Sequence, residues 1–273
     1  MNKKRNSTIT FTDFLRLGQH QAHLTNCKFK KIILACIGVL AINPRIRSGR
    51  VITEIKNQDL DIDVNVLDAG FGFGLAMFYL SKKFPYWSIT GYELDDEFVN
   101  GAKKIKESIN LENLTIIKKD LQEITDYSKF DLIYSSDVLE HIEDDVMVLK
   151  NFHRALKPNG RLILHLPYRY NLSKRIFPWF RNYKTPDHVR EEYTIKEITN
   201  KLIQTGFSVD SFQYGYGLLK GELAFELNNL FNANKYLLIC SQVCTFPMSI
   251  ILAYRDIKMP PNVGNSIVII SKK

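Results

Sequence analysis

The stretch NVLDAGFGFGLAMFYL, residues 65–80, constrains the fold more than any other part of the chain. An apolar, β-branched run ends at Asp68, three glycines follow at alternate positions (Gly70, Gly72 and Gly74), and a helical pattern begins at Leu75. Glycine accepts positive φ and lets backbone approach a ligand with no side chain in the way. Strand, glycine turn and helix in that order form the first half of a βαβ unit. In open parallel sheets, ligands bind at the carboxyl ends of the strands, beside a helix N-terminus.

The alternation continues along the chain. Strands are predicted over 64–68, 87–93, 114–118, 130–135, 161–166 and 207–213, with a last one at 266–270, and helices over 75–84, 97–109, 144–155 and 194–205. The KPNG run at 157–160 reads as the turn that stops a helix before the fifth strand. Thr194 and Glu197 have capping-box spacing, and Gly206 is a natural helix stop. The predicted fold class is α/β: a Rossmann-like, doubly wound sheet of about seven mostly parallel strands with helices on both faces, plus N-terminal helices and an inserted cap. Residues 1–60 read as a helical extension that includes Arg45, Arg47 and Arg50, and residues 61–273 as the main domain. Insertions are expected at about 168–192 and 214–262, both read as irregular.

Two carboxylates sharpen the ligand expectation. The glycine spacing is GxGxG, with Leu75 where a dinucleotide fingerprint has its final glycine, and no Gly-Lys-Ser/Thr follows, which excludes a phosphate-cradling P-loop. Glu93 ends the second predicted strand, where an acid accepts the hydroxyls of a ribose. Asp120 follows the third, positioned to accept from an adenine amino group while the Leu121 N–H meets a ring nitrogen.

From residue 64 to about 213 the chain resembles the class I S-adenosylmethionine-dependent methyltransferases, in particular their small-molecule branch. FDLIYSSDVLEHIEDD and FHRALKPNGRLILHLP are similar to that branch's fourth strand, its LEH-containing helix entry and its KPGG-like turn. The resemblance implies S-adenosylmethionine as cofactor, lined by Asp68, Gly70, Phe71, Gly72, Gly74, Glu93, Leu94, Asp120, Leu121, Ser135, Ser136 and Asp137. Phe71 and Phe73 stand where the family usually has Cys and Thr, which predicts a bulkier, more apolar pocket.

Methyl transfer from a sulfonium needs alignment and exclusion of water, and a hydroxyl nucleophile gains from a base. Two histidines are candidates: His141 in LEHIE and His188 in PDHVRE, each with a helix-cap or loop-anchor role as the alternative. No metal-ligand cluster is visible in the sequence. The 168–192 insert mixes arginines and lysines with aromatics, which suits a small-molecule, sugar or glycan-precursor acceptor, acidic or phosphorylated, methylated at oxygen.

Composition leaves other partners open. The net charge of +8 suits an anionic membrane surface or nucleic acid as well as a charged substrate. The apolar run at 32–42 is too short to span a bilayer, and the uncharged run at 236–254, broken by Pro247 and polar residues, reads as a buried or interface-lying segment. Methylation of a lipid or polyprenyl substrate at a membrane is therefore an alternative, as is a non-catalytic cofactor-binding role. A nucleic-acid methyltransferase is disfavoured, because SSDVLEH replaces the Asn/Asp-Pro-Pro-Tyr motif. Cys27, Cys36, Cys240 and Cys244 form no CxxC pair and are expected as buried, reduced thiols, without disulfide or metal, of a chain that is cytoplasmic, with membrane association as the alternative.

Overall fold

The computed structural model describes residues 8–169, 189–228 and 235–273. A seven-stranded sheet holds β1 (Asn65–Ala69), β2 (Ser88–Glu93), β3 (Leu114–Lys118), β4 (Phe130–Ser136), β5 (Leu156–Pro167), β6 (Ser208–Gly215) and β7 (Ser266–Lys272), in the order β3-β2-β1-β4-β5-β7-β6. β1 to β5 pair in parallel, whereas β7 is antiparallel to both β5 and β6. The chain leaves β1 toward β2 and later returns to β4 on the other side. This switch opens a crevice at the carboxyl ends of β1 and β4.

The helices are α1 (Phe11–Leu15), α2 (Lys28–Ile37), α3 (Ile42–Asn57), α4 (Leu75–Lys83), α5 (Asp96–Ser108), α6 (Asp145–Ala155), α7 (Ile195–Gln204), α8 (Leu223–Asn228) and α9 (Lys235–Lys258). Their starts follow local chemistry. Asp95 accepts from the N–H groups of Glu97 and Phe98, Asp144 accepts from that of Met147, and Thr194 with Glu197 forms the expected capping box. Side chains alternate across the strands, so the core has two halves. Val66, Leu132 and Tyr134 pack with Ile52, Met77 and Val99 from α3, α4 and α5; Leu67, Ile133 and Leu162 pack with Phe152 and Leu202 from α6 and α7. Helices on both faces of a mostly parallel sheet match the expected class.

Three expectations change. Residues 214–262 are mainly helical where described: α8 follows a π-helical turn at Leu218–Glu222, and α9 runs for 24 residues. β5 begins at Leu156 rather than 161, because the KPNG run is carried as a bulge, with Phe130 opposite Leu156 and Leu132 opposite Arg161. All four cysteines are free but exposed, since α2 and α9 turn apolar faces outward. The N-terminal helices are also no mere appendage, as Ile9 and Phe14 enter the same core half as α9's Phe246, Ile250 and Ile257.

The three arginines of α3 have three destinations. Arg45 is fully buried and donates to the carbonyls of Phe14, Leu15, Ile37 and Val39, and burial pushes its guanidinium down to about 9. Arg50 pairs with Asp256 of α9 in the interior, at side-chain exposures of 3% and 0%. Arg47 reaches the crevice.

Candidate active site

A cavity of about 680 Å³ occupies the crevice. Its floor is the β1–α4 turn. Gly70 has φ +81, and a Cβ there would sit 2.5 Å from Val138 Cγ2; Gly72 has φ +49, and a Cβ there would meet nothing within 4 Å. The first glycine is demanded by packing. The second leaves open space for something outside the protein. Glu93 locks the turn: Oε2 accepts from the Gly72 N–H at 2.9 Å, while Oε1 accepts from Leu94 and Asp95 at 2.8 and 3.2 Å. Asp120 Oδ1 accepts from the Gln122 N–H at 2.8 Å, which fixes its carboxylate at the tip of β3.

Asp68 lies beneath the turn, with the Tyr134 hydroxyl donating to it at 2.7 Å. Burial, opposed by that bond and reinforced by the Glu93 charge, pushes its carboxyl up to about 8. A carboxyl raised on folding stabilises the protein fully below its unfolded value, and this contribution is lost as pH rises through the folded value. Stability is therefore expected to fall by a few kcal/mol between about pH 4 and about pH 8. Asp68→Asn is expected to flatten that slope, measured as melting temperature against pH; parallel curves for the two proteins would refute the assignment.

Beyond β4 is a polar cluster. Asp137, itself at φ +52, accepts from His165 Nδ1 at 2.6 Å and from Arg47 Nη1 at 2.8 Å. Burial raises its carboxyl, but His165 and Arg47 outweigh burial and hold it well below the usual carboxylate range. Glu140 is pushed well above its ordinary value by burial and by the Asp137 charge. Pro44, Arg47, Ser48 and Val51 of α3, with His141 and Val189, line the part of the cavity beyond the glycine turn.

Residues 67–162 match the family described as Methyltransferase domain. These residues are a class I S-adenosylmethionine-dependent methyltransferase domain. Phosphoethanolamine N-methyltransferase 3 of Arabidopsis thaliana is 31% identical over 110 residues, which cover 39% of this chain and 21% of that protein. Ubiquinone biosynthesis O-methyltransferase of Coxiella burnetii is 32% identical over 99 residues, 36% of this chain and 41% of that one. The chain thus spans less than half the length of the curated relatives it matches. The crystal structure of the cyclase SpnF superposes with a TM-score of 0.57 at 14% identity, over 78% of this chain and 76% of that chain, a likeness of fold alone.

In the methyltransferase domain, every expected cofactor position except Ser135 lines the cavity. Ser135 points to the other side of β4, because alternate residues of a strand face opposite ways, and its hydroxyl donates to the Ala69 carbonyl at 2.7 Å. Phe71 touches the cavity but does not plug it. Its ring is buried over Gly91, where a Cβ would sit 2.8 Å from Phe71 Cδ1. Phe73 is half exposed and packs edge-on against Phe98 at 5.1 Å. His141 reaches the cavity, whereas His188 lies outside the described residues.

Sequence reading missed Arg47, His165 and the brace formed by His20 and Gln21, which both donate to the Phe73 carbonyl, at 3.0 and 3.1 Å. Burial pushes His20 down to about 4, so it serves as a neutral donor. The one local signal was a histidine inside the apolar run LILHLP.

The residues fit the cofactor of the family. The volume lies in the usual range for small-molecule sites of about 300–1,000 Å³. A bare glycine faces open space, and acids stand at the tips of β2 and β3, able to accept from the hydroxyls and amino group that a nucleoside carries.

Proposed function

We propose that the chain methylates an oxygen of a small acceptor bearing an acidic or phosphorylated group, in the sugar or glycan-precursor class. Arg47 carries this reading. Its side chain is 28% exposed on the α3 wall of the cavity, and Asp137 engages only its Nη1. A guanidinium has more donors than one carboxylate oxygen uses, and it suits anionic groups. The relatives named above for phosphoethanolamine and for ubiquinone biosynthesis lend support, as proteins named for small-molecule acceptors.

Bound S-adenosylmethionine supplies a methyl group already made electrophilic by its sulfonium. The chain's own residues do the rest. Backbone at Gly72, the carboxylates of Glu93 and Asp120, and Leu121 would hold the cofactor's nucleoside portion. Ile142 and Val189 put apolar side chains on the cavity wall, which disfavours water there. Arg47 orients the acceptor through its anionic group, and His141 takes the proton that a hydroxyl loses.

An acceptor screen with the full chain tests this. Transfer is expected to anionic hydroxyl compounds in preference to neutral ones, and Arg47→Gln is expected to erase that preference. In the same assay His141→Ala is expected to lower kcat about 100-fold with cofactor affinity intact. Equal use of neutral acceptors by the unmodified chain, or transfer to amines only, would refute the proposal.

A further inference from the structure

Helix α9 is amphipathic in the reverse sense. No charged residue occurs from 236 to 254. The helix is long and apolar enough to cross a membrane, yet only 28% of its most apolar 18-residue stretch is buried. Its polar atoms turn inward: Ser241 Oγ donates to the Leu227 and Asn228 carbonyls, Thr245 Oγ1 donates to that of Leu227, and Asp256 pairs with Arg50. Outward stand Leu237, Val243, Met248 and Ile251, each between 49% and 57% exposed. A soluble surface helix has the opposite pattern.

Helix α2 adds charge. Phe29 and Ile32 are 73% and 62% exposed, among Lys28, Lys30 and Lys31, which are exposed as well. Arg45 of α3 touches both helices: it donates to the Ile37 and Val39 carbonyls at the end of α2 and lies 5.2 Å from the centre of the Phe246 ring on α9. No acidic residue occurs between Asp13 and Glu54, or between Glu226 and Asp256.

We infer that the outer face of α9, with α2 beside it, lies on an anionic lipid surface. Apolar side chains enter the headgroup boundary and lysines meet the acidic headgroups, the two terms that hold an interfacial helix. The helix lies on the bilayer rather than crossing it, because its inner face is bonded into the protein through Ser241, Thr245 and Asp256. A second copy of the chain is a poorer occupant: pairing two such faces would bring lysines against lysines with no acid between them. Seating on a lipid surface fixes where the chain works and is independent of which acceptor it methylates.

Flotation of the full chain with vesicles tests it, using phosphatidylcholine alone and phosphatidylcholine with phosphatidylglycerol. Binding is expected to be about tenfold stronger or more on the anionic vesicles and to weaken with salt. Replacing Val243, Met248 and Ile251 together by Glu is expected to abolish binding while cofactor affinity is unchanged. Replacing Lys28, Lys30 and Lys31 by Gln is expected to remove the preference for phosphatidylglycerol. No flotation with either vesicle would overturn the inference. So would a dimer in light scattering that the Glu variant breaks while vesicle binding persists.

Discussion

Gly72→Val is expected to weaken S-adenosylmethionine binding by at least about 100-fold, close to 3 kcal/mol, and to leave the fold in place. The two parts of that expectation have separate causes. Gly72 is left-handed at φ +49, so an L-residue there carries about 1–2 kcal/mol of strain, and a β-branched one fits worst. No protein atom lies within 4 Å of the new Cβ, so the fold meets no collision. The valine methyls instead project into the cavity, where the ligand backbone approach is meant to occur. Calorimetric titration together with a thermal melt separates the effects. Gly70→Val is a poorer probe, because its Cβ collides with Val138 at 2.5 Å and would unfold the turn itself. If the Gly72 variant bound the cofactor within twofold of the parent, the nucleoside site would have to be elsewhere.

Asp256→Ala is expected to cost about 3–5 kcal/mol of stability, read as a lowered denaturant midpoint at unchanged slope. The carboxylate is fully buried and accepts from Arg50, from the Tyr216 N–H at 3.1 Å and from the Gly217 N–H at 2.8 Å. Removing it leaves a guanidinium of 3% exposure with its charge uncompensated, and frees two backbone donors at the end of β6. Arg50→Met in the same chain is expected to return part of the loss, because the pair then vanishes as a unit. A change below about 1 kcal/mol would mean that Arg50 finds another acceptor once Asp256 is gone.

The parts of this molecule that could be read from sequence are those written in local chemistry. The glycine turn, the capping box of Thr194 and Glu197, and the acids at the ends of β2 and β3 each depend on a few neighbouring residues. The strand rhythm follows from the same short-range pattern. Misreadings arose where the deciding contact is remote. Arg50 meets a partner 206 residues away, and Arg47 one 90 residues away, so both looked like an ordinary basic stretch. Ser135 faces away from the cavity, since shifting one residue along a strand changes the face. The inward hydroxyls of α9 could not be read from its composition, because Ser241 and Thr245 find their acceptors on α8, and an uncharged helix gives no hint of which side is dry.

The position of β7 has a consequence for solubility. Among the described residues, β6 is joined to the sheet only through β7, and β7 alone covers the open side of β5. Loss of one seven-residue strand by proteolysis or fraying would therefore strand a second one and bare the long apolar edge Leu162–Leu166. An uncovered edge of that kind invites another chain to pair with it, so the integrity of Ser266–Lys272 guards this protein against aggregation.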